Sequence, residues 1–350
     1  MERFSDMLNR RNFLKTGIGA AAVTALTSEI AQAAPAKKAI TYSGAIPVRK
    51  FGKTGYSFPI LGHGGSAMME REYTYYGLND PPSREDRVKM VRDAYDKGIR
   101  YYDTARIYLE SETLMGEGLK DIRDKVFIAS KVMVDDAAKV RPSVEKSLQE
   151  LQTDHIDLMQ IHGPMIEQHE IPVLMKQYEE LVKLRDEGLI HHIGITGHNA
   201  FHKMYELIAT EGFDSVLIEY GYFRKGYNTR HSEVQVEWRE NCVAKAHELE
   251  MGIIAMKVLG AWVFNHNAKN VLPDYDAQAV KRLPAAAIRW VLNDPRISVL
   301  NIGVSYPSDI DENLKIVTGE TALTMADRQL LADFSAKAYQ TERVQGLEVV

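Results

Sequence analysis

Asp96-Lys97-Gly98-Ile99-Arg100-Tyr101-Tyr102-Asp103 is the stretch on which the fold turns. The residues leading into it, Arg84–Lys97, carry helical patterning, and Gly98 stands where a helix stops. The apolar run that follows ends at a carboxylate and has the length of a strand. The same helix–glycine–strand junction recurs at Arg185-Asp186-Glu187-Gly188 and at Glu250-Met251-Gly252. A junction repeated along the chain implies a repeated unit.

Outward from Gly98 the alternation extends in both directions. Strand-like runs occupy Ile60–Ser66, Arg100–Asp103, Val126–Lys131, Ile156–His162, Ile190–Thr196, Ser215–Tyr220, Gly252–Lys257 and Ser298–Val304. Helical patterns follow them at Arg84–Lys97, Ser111–Ile122, Arg141–Leu151, Pro172–Glu187, Asn199–Glu211, Ser232–Leu249, Asp276–Leu292 and Ser308–Val317. Strict βα alternation means parallel strands, and eight units in about 260 residues fit a closed barrel better than an open sheet. An open doubly wound sheet is the alternative, but no G-x-G-x-x-G follows any strand, and Gly62-His63-Gly64-Gly65 has a different spacing. Val48–Pro59, with Gly52 and Gly55 inside it, reads as a hairpin ahead of the first strand. Thr324–Ala338 reads as a helix beyond the last, capped by Thr324, with Leu330, Leu331 and Phe334 on one face. The expected fold is therefore α/β: a (β/α)8 barrel of the TIM type with an N-terminal β-hairpin and an extra C-terminal helix, over residues 48–340, followed by a tail at 341–350.

In 350 residues, 45% are hydrophobic and 26% charged, with a formal net charge of −5. Basic residues are scattered, so a nucleic-acid surface is not expected. The first 33 residues are a different kind of sequence. Asn9-Arg10-Arg11-Asn12-Phe13-Leu14-Lys15 precedes a mild apolar stretch from Thr16 to Leu26 and a small-residue site at Ala31-Gln32-Ala33. This is the layout of an export signal. Its twin arginines followed by x-Phe-Leu-Lys resemble the signal read by the twin-arginine translocase, which carries folded proteins. Residues 34–47 form a linker. The apolar stretch is too short to anchor the mature chain across a bilayer, so a periplasmic or otherwise exported protein is expected. The single cysteine, Cys242, precludes an internal disulfide, which suits a chain that folds and loads any cofactor before export.

In such a barrel, chemistry collects where the strands end. The second strand ends at Asp103 with Tyr108 in the loop beyond, the third at Lys131 and the fourth at His162. Singly, each has an ordinary role: a turn former, a half-buried phenol, a solvated strand end, a core histidine. Gathered on three neighbouring strand ends they make an acid–base constellation, neither a metal site nor a nucleophilic triad. His198 and His202 lie one helical turn apart but lack the glutamate of H-E-x-x-H, and His191-His192 reads as the start of a strand, so no metal is expected. Tyr73, Tyr75 and Tyr76, beyond the first strand, and Trp262, beyond the seventh, fall on the same rim as candidate walls of a substrate pocket.

Asp-Thr-Ala-x-x-Tyr at Asp103–Tyr108, Ser130-Lys131, Asp154-His155-Ile156-Asp157-Leu158 leading to His162, and His192-Ile193-Gly194-Ile195-Thr196 together resemble the signature segments of the aldo-keto reductases, in the same order, over roughly Val48 to Lys315. The resemblance implies hydride transfer between a nicotinamide cofactor and a carbonyl or alcohol substrate. Tyr108 would be the proton donor, Lys131 and Asp103 its tuning pair, and His162 would orient the substrate oxygen. It also implies cofactor contacts. Thr196 and Gly197, with His198, stand where the carboxamide is held, and Leu217 and Met256 replace the usual glutamine and stacking tyrosine. Gly303, Ser305, Asp309, Glu312 and Asn313 fall in the adenosine segment. Asp309 occupies the place of an arginine that meets the 2′-phosphate; a carboxylate there would accept from a free 2′-hydroxyl instead. Lys257 could still supply charge to a phosphate, so NADP(H) and NAD(H) both stay open. Two other readings remain beside the reductase: a nucleotide-binding sensor or accessory subunit with little turnover, and a barrel hydrolase or lyase using His162 and Asp103.

Overall fold

The computed structural model describes residues 42, 44–76, 78, 80–226 and 228–350. The expected export signal and the first part of the linker lie outside the described residues, as do the side chains of Tyr75 and Tyr76. Eight parallel strands close into a barrel: β1 (Leu61–Gly64), β2 (Tyr101–Asp103), β3 (Phe127–Val132), β4 (Ile156–Ile161), β5 (Ile190–Gly197), β6 (Ser215–Glu219), β7 (Gly252–Met256) and β8 (Val299–Gly303). The ring shuts where Leu300 of β8 registers with Leu61 of β1. Eight helices alternate with the strands: α1 (Arg84–Asp96), α2 (Ser111–Leu119), α3 (Val140–Glu150), α4 (Ile171–Asp186), α5 (Phe201–Ala209), α6 (Glu233–Glu248), α7 (Leu283–Leu292) and α8 (Pro307–Val317).

Local chemistry explains the boundaries. The Ser83 hydroxyl accepts from the amide of Asp86 at the start of α1, and Gly98 leaves its end with φ of 104°, a left-handed conformation that costs glycine nothing. Gly252 has a different reason to be glycine. Glu250 takes the left-handed turn there (φ 53°), and a Cβ on Gly252 would lie 2.4 Å from the Phe51 ring. Two expected helices are shorter than their patterns. The pattern over Asp276–Leu292 breaks into Ala277–Val280 and α7, because Pro284 has no amide hydrogen with which to continue the earlier turn. That over Asn199–Glu211 starts only at Phe201, since Ala200 is left-handed (φ 49°).

The hairpin pairs Val48–Lys50 with Ser57–Pro59 and closes the N-terminal mouth of the barrel. Phe51, Tyr56 and Phe58 pack edge-on and tilted against Tyr101 and Phe127, with ring centroids 4.8–6.1 Å apart. Arg49 fastens it by donating to the carbonyls of Leu292, Asp294 and Ile297, capping the end of α7. Above this floor the interior is apolar, with Ala129, Leu158, Leu217, Ile254 and Val299 buried together. Side chains one residue out of phase, such as Ile193 and Ile195, face the helices instead.

The extra helix, α9 (Met325–Ala338), begins at a capping box in which Thr324 accepts from the amide of Asp327 and the Asp327 carboxylate accepts from the amide of Thr324. The tail beyond it is built into the body: Val344 is buried in a helical turn (Glu342–Gln345), and Glu348–Val349 pairs with Thr229–Arg230. Two rim helices, Glu70–Tyr76 and Gly163–Gln168, are too short to leave a periodic signal. No helix among the described residues is long and apolar enough to cross a membrane.

Candidate active site

At the C-terminal rim, β2 and β3 bring a carboxylate and an ammonium together. Lys131 Nζ donates to Asp103 Oδ1 at 2.6 Å and to the Thr104 carbonyl at 2.7 Å, with both side chains almost wholly buried. Burial lowers the lysine's pKa, opposed by the charge and hydrogen bond of Asp103 and by the more distant Glu112. Asp103 is held from two further directions: Asn301 Nδ2 donates to Oδ1 at 3.0 Å and Gln160 Nε2 to Oδ2 at 3.2 Å.

Tyr108 lies over this pair. The Lys131 ammonium is 4.9 Å from the centre of its ring, and the His162 imidazole meets the same ring edge-on with centroids 5.8 Å apart. Burial, and then the charge of Lys131, depress the pKa of His162 to about 3, so its imidazole is neutral throughout the physiological range. Behind the group, buried Glu112 accepts from Ser130 Oγ at 2.6 Å and pairs with Arg106, which also binds Glu150.

These residues form one end of a cleft of about 340 Å³. Asp103, Tyr108 and His162 line it together with Leu217, Met256, Lys257, Trp262 and Gly303, all singled out from sequence, and with His198, Asn265 and Asn301. One wall is the loop after β7, in which Lys257, Ala261 and Trp262 all take left-handed backbone (φ 60°, 52° and 64°). Such strain in non-glycine residues gathers where a loop must hold a particular shape. Burial is the main cause that brings the Lys257 pKa down to about 7, with Lys225 adding to it and Glu219 and Glu72 opposing. Within that loop Trp262 lines the cleft, whereas Phe264 is buried against Phe223 and Phe334.

Other expected site residues do not line the cleft. Thr196 is buried at the end of β5, and a Cβ on Gly197 would collide with Met204. Ser305 and Asn313 are buried, and Glu312 is exposed. Tyr73 is not a free pocket wall: it is buried, and its hydroxyl donates to the Ser305 carbonyl. Asp309 does not offer the free carboxylate expected for a ribose hydroxyl. Its Oδ2 accepts from the amides of Ser305 and Tyr306 (2.8 and 3.0 Å), as suits the first turn of α8, and Oδ1 faces His266 Nε2 at 2.9 Å. Burial would lower the pKa of His266, but Asp309 and Glu312 outweigh it and the net direction is upward.

Asn301, Gln160 and Glu112 were not anticipated from sequence. The first two had a signal: each is a polar residue two positions before a rim residue on the same strand, hence on the same inward face. Glu112 had none, because its role depends on how α2 packs behind β3.

A cleft at the rim of a closed parallel barrel, ending in a buried ion pair beneath a phenol, defines a barrel enzyme. The chain belongs to the aldo-keto reductase family, whose profile matches residues 64–330, and it is an oxidoreductase of that family. The twin-arginine translocation pathway signal sequence matches residues 7–27, which marks the chain for export. Among known proteins it is similar to L-galactose dehydrogenase of Arabidopsis thaliana, 28% identical over 312 residues and covering 83% of this chain and 94% of that one. It is also similar to aldo-keto reductase YhdN of Bacillus subtilis, 26% identical over 272 residues, covering 67% and 79%. Similar solved structures include an aldo-keto reductase from Bacillus halodurans in its holo form (TM-score 0.64, 20% identity, 85% and 99% coverage). Another is the aldo/keto reductase from Klebsiella pneumoniae in complex with NADP and acetate (TM-score 0.61, 21% identity, 87% and 99% coverage). At that identity these two show the shared fold alone.

Proposed function

We propose that the protein is an exported, nicotinamide-dependent reductase of aldehydes or ketones, or the reverse alcohol dehydrogenase, with Tyr108 as the proton donor and acceptor. The observation that carries this reading is the Lys131 ammonium, anchored on Asp103 and lying against the Tyr108 ring at the closed end of the cleft. An unassisted phenol, with a pKa near 10, is a poor acid at neutrality; a buried cation beside it stabilises the phenolate and makes it a better one. Asp103 keeps that cation from being an uncompensated buried charge. His162, being neutral, does not compete as an acid and serves to hydrogen-bond the substrate oxygen and fix its approach.

The cleft suits a nicotinamide nucleotide. Asn265 Oδ1, Asn301 Oδ1 and His198 Nδ1 are buried in residues that line it and have no hydrogen-bond partner within the protein, an arrangement that favours a polar ligand. Leu217 and Met256 give its middle an apolar wall against which a flat ring can lie. When bound, the reduced nicotinamide supplies the hydride for the carbonyl carbon. Tyr108 gives its proton to the oxygen as negative charge develops there, and the resulting phenolate is held by Lys131 until it is reprotonated. Lys257 offers positive charge to a phosphate group. With Asp309 turned to His266 and the loop amides, the argument that a free carboxylate repels a 2′-phosphate loses its force, and NADP(H) and NAD(H) remain alternative partners.

The test is an absorbance assay of nucleotide-stripped protein with NADH and NADPH against a panel of aldehydes and ketones. Oxidation of the added nucleotide that depends on both protein and carbonyl is expected. Activity surviving complete nucleotide removal would refute the reading, and tight nucleotide binding with no turnover of any substrate would favour a sensor or accessory subunit.

A further inference from the structure

Sequence alone predicts no metal: His198 and His202 lack the glutamate of H-E-x-x-H, and His191 reads as the start of a strand. The barrel brings His191 together with His155 and Asp157 at the opposite end from the cleft. Asp157 and His191 are each the second residue of adjacent strands, β4 and β5, and His155 immediately precedes β4. All three face outward, toward the helix layer, since their neighbours Leu158 and His192 pack inside.

We infer that a divalent transition-metal ion of the Zn²⁺ type binds here, held by His155 Nε2, Asp157 Oδ1 and His191 Nδ1. One potential ligand atom from each of the three residues lies within 4.8 Å of the other two. Asp157 Oδ1 is 3.4 Å from His191 Nδ1 and 3.9 Å from His155 Nε2. Both distances are long for a charge-assisted hydrogen bond, which is about 2.7–2.9 Å. The first falls within the spacing of about 3.3–3.5 Å that tetrahedral Zn–N and Zn–O bonds impose on neighbouring ligand atoms, and the second would have to close by about 0.5 Å on binding.

The surroundings hold the ligand atoms in the required state. His155 Nδ1 lies 2.5 Å from Asp154 Oδ1, a carboxylate–imidazole contact of the kind that orients a metal-ligating histidine. The two oxygens of Asp157 are divided between tasks. Oδ2 accepts from Arg123 at 2.6 Å and from the amide of Ile128 at 2.9 Å, leaving Oδ1 to the imidazoles. Arg123 is itself tied to the carbonyls of Val126 and His155, both at 3.0 Å, and so is kept beside the carboxylate. His155 and Asp157 are buried, while His191 is half-buried and leaves a side open for a water as fourth ligand. Two imidazoles, one carboxylate and an open position suit Zn²⁺ and its late first-row neighbours and do not suit Ca²⁺ or Mg²⁺, which take oxygen. His162 lies five residues along the chain from Asp157, about 16 Å at strand rise. The ion is therefore a clasp between two strands and takes no part in the reaction.

The experiment titrates chelator-treated, full-length wild-type protein with ZnCl₂, reading stoichiometry by competition with a chelating dye and stability by thermal unfolding. One equivalent of Zn²⁺ is expected to bind and to raise the unfolding midpoint. His155→Ala and His191→Ala should each abolish that equivalent and the shift, while Asp154→Asn should keep the stoichiometry and weaken affinity by about 10- to 100-fold. Reductase turnover should be the same with and without the metal. The inference is overturned if wild-type protein binds no Zn²⁺, if the His155→Ala/His191→Ala double variant binds as much as wild type, or if removing the metal changes turnover.

Discussion

Asp103 on β2 and Asp157 on β4 are both buried carboxylates, each 2.6 Å from a basic side chain, yet they stand at different ends of the barrel. Asp103 faces the interior at the rim. Its partner is a lysine, which can shed a proton, and that lysine touches a phenol at the edge of a cleft. Asp157 faces the helix layer near the floor. Its partner is an arginine, which stays charged and is tied down by the carbonyls of Val126 and His155. The same ion-pair geometry is thus proposed to support a reaction at one end and ties strand to loop at the other. What separates them is access, together with a cation whose charge is conditional.

Removing the cation from each pair tests that distinction most strongly. Lys131→Met should lower turnover by about 10²- to 10⁴-fold, measured as kcat at saturating nucleotide, because Tyr108 loses its tuning charge. Lys131→Arg should not restore it, since an arginine is larger and cannot give up its proton. Arg123→Met should leave turnover per folded molecule unchanged and cost about 3–5 kcal/mol in denaturant unfolding, the penalty of a buried charge left alone.

A second test uses acid. His63 is buried on β1 against Tyr102, neither ring nitrogen has a partner, and burial depresses its pKa from 6.5 to about 4. The unfolded chain takes up a proton below about 6.5 that the folded chain refuses until about 4, so stability is full above that window and falls as pH drops through it. The loss from this group is roughly 3 kcal/mol, and His162 adds to it in the same direction. Unfolding midpoints measured across the window should fall with acidification, and less steeply in His63→Leu.

Smaller effects refine the rim. Asn301→Ala removes one of three side-chain donors to Asp103 and should cost about tenfold in kcat with little change in fold. Leu217→Gln adds a hydrogen-bonding group to the cleft wall and should tighten nucleotide binding by roughly 2- to 10-fold, read by fluorescence titration.

Much of this was legible in the sequence because it is written in local signals. All eight strands fall where the glycine-punctuated alternation puts them, and Asp103, Tyr108, Lys131 and His162 meet because strand ends in a closed barrel must. Residues whose meaning depends on register or on packing between distant segments were harder to read. Asp309 looks from sequence like a cofactor contact; only the folded loop after β7 brings His266 to it. His155, Asp157 and His191 are unremarkable until β4 and β5 are set side by side. The split between Trp262 in the cleft and Phe264 in the core likewise depends on a strained backbone path that composition does not encode.

The most direct test is Tyr108→Phe, with nucleotide binding by fluorescence titration and carbonyl reduction by nucleotide absorbance measured on the same preparation. Loss of the hydroxyl alone is expected to reduce turnover by at least about 10²-fold while leaving the nucleotide dissociation constant nearly unchanged. A Tyr108→Phe protein that still reduces the substrate at the wild-type rate would contradict the assignment of Tyr108 as the proton donor.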